Sequence, residues 1–197
     1  MRLPEAITDI PPLKGVVFVE LVAMAEAHLG EEAVDRILDM DGLQDGGAYT
    51  TVERYSCREL AMLVERISRE TGLEMSGLQT AFGRWIYRRF NESHPEFFAS
   101  KSCGFELLES VDREIHTEVR KIYPDTMTPR IHAERRGPDT LVVVYESPRG
   151  LISFCRGMIE ETFVDFGETV EIAQSDLPDS DFGTRARFEI TRRQSDG

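Results

Sequence analysis

The sequence is short of cysteine, of long hydrophobic runs and of positive charge, and each shortage excludes something. Cys57, Cys103 and Cys155 are the only cysteines in 197 residues. They lie far apart and form no CxxC pair, so neither a disulfide framework nor a zinc knuckle is expected. No stretch reaches the roughly 18 apolar residues of a membrane span, and residues 1–12 lack the basic-then-apolar order of a secretory leader. A cytoplasmic location is the expectation. Lys and Arg number 23 against 36 Asp and Glu, a formal net charge of −13, which argues against a nucleic-acid backbone or an anionic membrane surface as partner. There is no glycine-rich phosphate loop, and no nucleophile–base pair can be assembled, so the chain is not expected to be an enzyme.

What is present suffices for a substantial core: hydrophobic residues make up 41% and charged residues 30%. Residues 1–14, with Pro4, Pro11 and Pro12, show no sustained period and read as an extended arm. Val17, Leu21, Met24, Ala25, His28 and Leu29 then recur at helical spacing, and a shorter helix follows over residues 31–38. Ser56 is placed to cap a helix that uses Leu60, Leu63, Val64 and Ile67 and stops at Gly72. Another helix runs from about Ser76 to Phe90, carrying Leu78, Phe82, Trp85 and Ile86. Over residues 105–123, Leu108, Val111, Ile115, Val119 and Ile122 share one face at about 100° per residue, and Pro124 ends that helix.

Beyond Pro124 the period changes from helical to alternating. Residues 130–135 and 140–145 read as strands joined by the Gly137-Pro138-Asp139 turn. A helix over residues 151–166 follows, then strands over 170–173 and 185–191, with the acidic, proline-containing segment 176–181 as the loop between them. The fold class is α+β: a helical N-terminal subdomain packed on a C-terminal antiparallel sheet of about four strands with one crossing helix.

Two segments carry candidate chemistry. His116 sits at the flank of its helix's apolar face, where a neutral imidazole can ligate a metal through one nitrogen while the other bonds elsewhere. It is equally a boundary histidine that separates polar surface from core. Val119 and Arg120, at i+3 and i+4, offer no second ligand, which disfavours an all-protein zinc site. A haem supplies four ligands of its own and needs only one side chain. Tyr145, Ser147 and Arg149 alternate, so their side chains can point the same way. Two hydroxyls and a guanidinium fork can hold carboxylates, although the end of an exposed strand carries such residues too. Glu160 and Glu161 read as a charged solvent face rather than an acid–base pair.

With those residues in view, the chain resembles the haem-nitric oxide/oxygen binding (H-NOX) domains of bacterial gas sensors and of soluble guanylate cyclase. The resemblance runs from Lys14-Gly15-Val16-Val17-Phe18 to the last strand, about residues 14–193, leaving residues 1–13 as an extension and 194–197 as a tail. It rests on Val34-Asp35-Arg36-Ile37-Leu38, the Tyr49-Thr50 region, Val111-Asp-Arg-Glu-Ile-His116, Pro129-Arg130 and Tyr145-x-Ser147-x-Arg149. It implies a haem b between a helical subdomain (about 14–124) and a sheet subdomain (about 125–193). His116 would be the iron ligand, Tyr145, Ser147 and Arg149 the propionate clamp, and Pro129 the residue that presses on the porphyrin. Val17, Leu21, Ile86, Phe90 and Met158 would form the distal wall, with Phe82 farther off.

One departure bears on ligand choice. Oxygen-binding members place a tyrosine where this chain has Phe154, which has no hydrogen to donate. The resemblance therefore implies binding of nitric oxide and carbon monoxide with dioxygen excluded, unless Tyr87 turns its hydroxyl into the distal pocket. It also implies that nitric oxide weakens the bond to His116 and that the His116 helix then moves. With no output region apparent in 197 residues, the signal would pass to a separate partner, a histidine kinase or a cyclic-dinucleotide enzyme. The competing expectation is a haem-free protein interaction module.

Overall fold

The computed structural model describes residues 10–39 and 41–193; most of the expected N-terminal arm and the tail 194–197 lie outside the described residues. Strand β1 (Leu13–Lys14) pairs antiparallel with β2 (Arg54–Tyr55), tying the start of α1 (Gly15–Leu29) to the turn before α3. Helices α1, α2 (Glu31–Leu38), α3 (Cys57–Thr71) and α4 (Met75–Ser93) bury one shared core around Phe18, Leu21, Leu63 and Phe82. Ser56 caps α3 as expected: its hydroxyl accepts from the Glu59 N–H at 3.2 Å, a contact worth about 1 kcal/mol. His28, expected on the inward face of α1, is instead exposed, its Nδ1 2.8 Å from the Met24 carbonyl.

After the short α5 (Glu96–Ala99), one helical path runs through α6 (Gly104–Ser110), a π turn (Val111–Ile115) and α7 (His116–Ile122). The π turn was not anticipated. Within it the His116 N–H bonds to the Val111 carbonyl, five residues back. The extra residue sets everything after it back by about one residue step, roughly 100°. That shift accounts for a correction: Ile122, expected on the apolar face, is 55% exposed.

The sheet contains β3 (Arg130–Arg135), β4 (Thr140–Ser147), β5 (Val170–Ser180) and β6 (Gly183–Arg192) in the order β3-β4-β6-β5, all antiparallel, with α8 (Ile152–Asp165) crossing between β4 and β5. Alternation puts Leu141, Val143, Tyr145, Phe188 and Ile190 on the inner face, where they form a second core with Phe105 and Phe163. The loop expected over residues 176–181 is a further correction, because β5 continues to Ser180. This strand lies at the sheet edge, where Pro178 deprives no interior ladder of a donor and the exposed Asp176 and Asp179 face water. A register shift between Leu177 and Ser180 absorbs the irregularity.

Helices α4 and α8 join the two halves by close backbone approach. A Cβ on Gly83 would stand 2.1 Å from the Phe154 carbonyl oxygen, and one on Gly157 would stand 2.0 Å from that of Thr80. Glu161, expected on a solvent face, is 5% exposed and accepts from Arg88 of α4 at 2.6 and 3.0 Å. Glu160 similarly takes Arg84 of α4 and Arg156 of its own helix. The α4–α8 contact pulls these carboxylates out of water and toward arginines, which is the physical reason that expectation failed.

Candidate functional site

Of the residues expected on the distal side, the structure brings some together beside the close α4–α8 contact and leaves others apart. Val17, Ile86 and Phe154 are half-buried against the helical core, and Leu21 is sealed within it. The Phe154 ring lies 5.3 Å from that of Phe82, so Phe82 touches the wall directly. Phe90 packs instead in a small third cluster with Tyr87, Phe98 and Leu107, which Ile115 also joins. Met158, one turn beyond Phe154, is half-buried.

Polar groups around this wall have partners. The Tyr87 hydroxyl donates to Asp165 at 3.0 Å, and burial pushes its ionisation well above the usual phenol range. The Trp85 indole donates to Glu20 at 2.8 Å, and the Thr80 hydroxyl donates to the Ser76 and Ser153 carbonyls. Tyr87 is thus turned toward the end of α8.

On the other side, His116 follows the π turn with its side chain 14% exposed. Its Nδ1 lies 3.0 Å from Asp112 Oδ1, and Nε2 makes no hydrogen bond with the described residues. Burial lowers its pKa, partly opposed by Asp112, which favours the neutral ring. Asp112 was missed in the sequence. The i−4 spacing on a helix was the available signal, since residues four apart are neighbours there.

Tyr145 and Ser147 lie on the inner face of β4, and Arg149 follows just past the strand end; they are 3%, 1% and 9% exposed. The alternative of an exposed strand end is therefore excluded. Burial pushes the Tyr145 phenol up, with the Ser147 hydroxyl and the Leu151 backbone opposing that shift. Ser147 Oγ accepts from the Arg149 N–H at 3.2 Å, fixing the turn out of the strand. The guanidinium donates to three backbone carbonyls: Met127 at 2.6 Å, and Pro11 and Pro12 at 3.3 Å each. Among the described residues no carboxylate pairs with it. Burying a cation without an anion is costly, of order several kcal/mol.

The two candidate segments meet at one loop. Arg149 holds the Met127 carbonyl, while Arg120 of α7 donates to the Thr128 hydroxyl at 2.6 Å. The half-buried Pro129 comes next in the chain, directly before β3. The loop before β3 therefore touches both the strand end that carries Arg149 and the helix that carries His116.

A buried cation lacking a carboxylate, a neutral imidazole with a free nitrogen and an apolar wall together fit a flat, iron-containing dicarboxylate. The comparisons agree. A family model described as haem-NO-binding matches residues 14–174, and the chain belongs to that family. Among solved structures, the unliganded Fe(II) H-NOX protein of K. algicida is 29% identical over 94% of this chain and 99% of its own, with a TM-score of 0.84. A point mutant of that same K. algicida protein, also unliganded and Fe(II), is 30% identical over 92% and 97%, with a TM-score of 0.84. An H-NOX protein from S. oneidensis, solved in the Fe(II)NO ligation state, shares the fold at 21% identity over 92% and 100%, with a TM-score of 0.81. Comparison with curated proteins finds no match. Among the described residues no helix is long and apolar enough to cross a membrane.

Proposed function

We propose that this chain is a cytoplasmic, haem-based sensor of nitric oxide that also takes carbon monoxide, holds dioxygen poorly and signals to a separate protein. When bound, the ferrous iron of haem b supplies the position at which a diatomic gas attaches. His116 would ligate the iron through Nε2. Arg149, Ser147 and Tyr145 would donate to the propionates, Pro129 would lie against the ring, and the half-buried Val17, Ile86, Phe154 and Met158 would shield the gas side. The observation that carries this reading is Arg149, whose buried guanidinium donates to backbone carbonyls and pairs with no carboxylate among the described residues. A propionate would supply the missing anion.

Gas choice follows from which donors remain free. Bound dioxygen carries partial negative charge and gains most from a hydrogen-bond donor. Phe154 has none to give, and the hydroxyls or ring N–H of Thr80, Trp85 and Tyr87 are already engaged. Nitric oxide and carbon monoxide need such help less. For output, Arg120 and Arg149 both grip the 127–129 loop, so a shift of α7 would be felt at the start of the sheet. A histidine kinase or a cyclic-dinucleotide enzyme is the class of partner proposed, and the acidic surface would steer its basic face inward.

Expression with haem supplied, followed by absorption spectra of the ferrous protein under argon, air, carbon monoxide and nitric oxide, tests this directly. The expected result is a Soret band that shifts with nitric oxide and carbon monoxide, with no stable oxygen complex in air. A chain without a Soret band would be a haem-free interaction module. A stable oxygen complex would defeat the selectivity argument while leaving the haem site standing.

A further inference from the structure

His116 has a partner that bears on its role as well as its placement. The Asp112 carboxylate, one helical turn earlier and within the π turn, reaches Nδ1 at 3.0 Å. At that distance a carboxylate oxygen is placed to accept a proton carried on Nδ1. A neutral imidazole protonated at Nδ1 keeps its lone pair on Nε2, the nitrogen that is free among the described residues.

We infer that Asp112 is a positioning residue for the iron ligand: it fixes the His116 tautomer and ring orientation and raises the electron-donating strength of Nε2. The inference rests on the haem reading. The π turn makes it a local property of this helix. The backbone carbonyl of Asp112 accepts from the Thr117 hydroxyl and from Arg120, both at 3.5 Å, so the carboxylate stands on a segment braced from α7 itself. The carboxylate is 47% exposed beside an imidazole that is 14% exposed, so its charge is screened by water without being cancelled. A carboxylate on the far nitrogen of a metal-bound histidine strengthens the ligand's basicity and holds its plane. With haem bound, Asp112 would therefore make His116 a stronger ligand to the iron.

Two measurements on wild type, Asp112→Asn and Asp112→Ala test this. In haem-free protein, nitrogen-15 NMR of the His116 ring should show Nδ1 protonated in wild type, and an Asp112→Ala ring that loses this bias. In ferrous, haem-loaded protein, the iron–histidine stretching band in the resonance Raman spectrum should move to lower frequency in the order wild type, Asp112→Asn, Asp112→Ala. The amide keeps an acceptor without the charge, so its intermediate position separates positioning from folding. Should Asp112→Ala fail to fold, Asp112→Asn against wild type still decides the question. An unchanged tautomer and an unmoved stretching band would overturn the role of Asp112 while leaving His116 as ligand. A wild-type chain with no Soret band would overturn the haem reading and this inference together.

Discussion

Strand β4 and helix α7 carry the two proposed attachments, and they are built differently. Tyr145 and Ser147 stand on a strand whose inner residues Leu141 and Val143 are fully buried, flanked by β3 on one side and β6 on the other. Residues 111–122, by contrast, contain no buried residue at all. Half-exposed helices with few core contacts open locally at low cost, whereas central strands open only with the whole domain. The proposed clamp thus stands on a well-buried strand and the proposed iron ligand on a less buried helix.

Substitutions at the two attachments should separate them. Replacing the proposed iron ligand, His116→Gly, has the largest expected effect: the iron–histidine stretching band disappears, while the protein keeps its circular dichroism because no core is lost. Removing the clamp's cation, Arg149→Ala, deletes hydrogen bonds to a charged group worth about 1.5–3 kcal/mol. Haem affinity should fall roughly tenfold to a hundredfold in a haem-transfer assay, and the haem-free protein should melt lower because the Met127, Pro11 and Pro12 carbonyls lose their donor.

Phe154→Tyr leaves both attachments intact and isolates the gas argument. A new donor worth about 1 kcal/mol should slow dioxygen loss by about fivefold in flash-photolysis or stopped-flow measurements, with little change for carbon monoxide. The smallest effect belongs to Arg120→Ala, which cuts the exposed link from α7 to Thr128. Haem affinity should stay within about twofold, since exposed contacts contribute under about 1 kcal/mol, while amide exchange in α7 quickens.

Much of this arrangement was legible in the sequence, for reasons that also mark where legibility stopped. The helical core of α1–α4 and the alternation in β4 and β6 follow from apolar period alone, and so does the shared face of Tyr145 and Ser147. The family signature then supplied roles that period could not. What escaped depended on tertiary placement. The π turn has no compositional mark, so Ile122 was assigned to a face from which the turn rotates it. Glu161 reads as surface until Gly83 and Gly157 allow α4 to bring Arg88 beside it. Pro178 and its acidic neighbours read as a loop until β5 proves to be an edge strand. Tyr87 could have faced either way, and Asp165 decided it. Asp112 was visible at i−4 from His116, yet only the orientation of both side chains makes it a partner.

The central claim is that nitric oxide at a haem loosens the His116 attachment and spares the clamp. Hydrogen–deuterium exchange on the ferrous, haem-loaded protein, with and without nitric oxide, measures this at both places at once. Peptides covering α7 (His116–Ile122) should exchange faster with nitric oxide, and those covering β4 (Thr140–Ser147) should not change. Equal changes in the two segments, or a change confined to β4, would contradict the account.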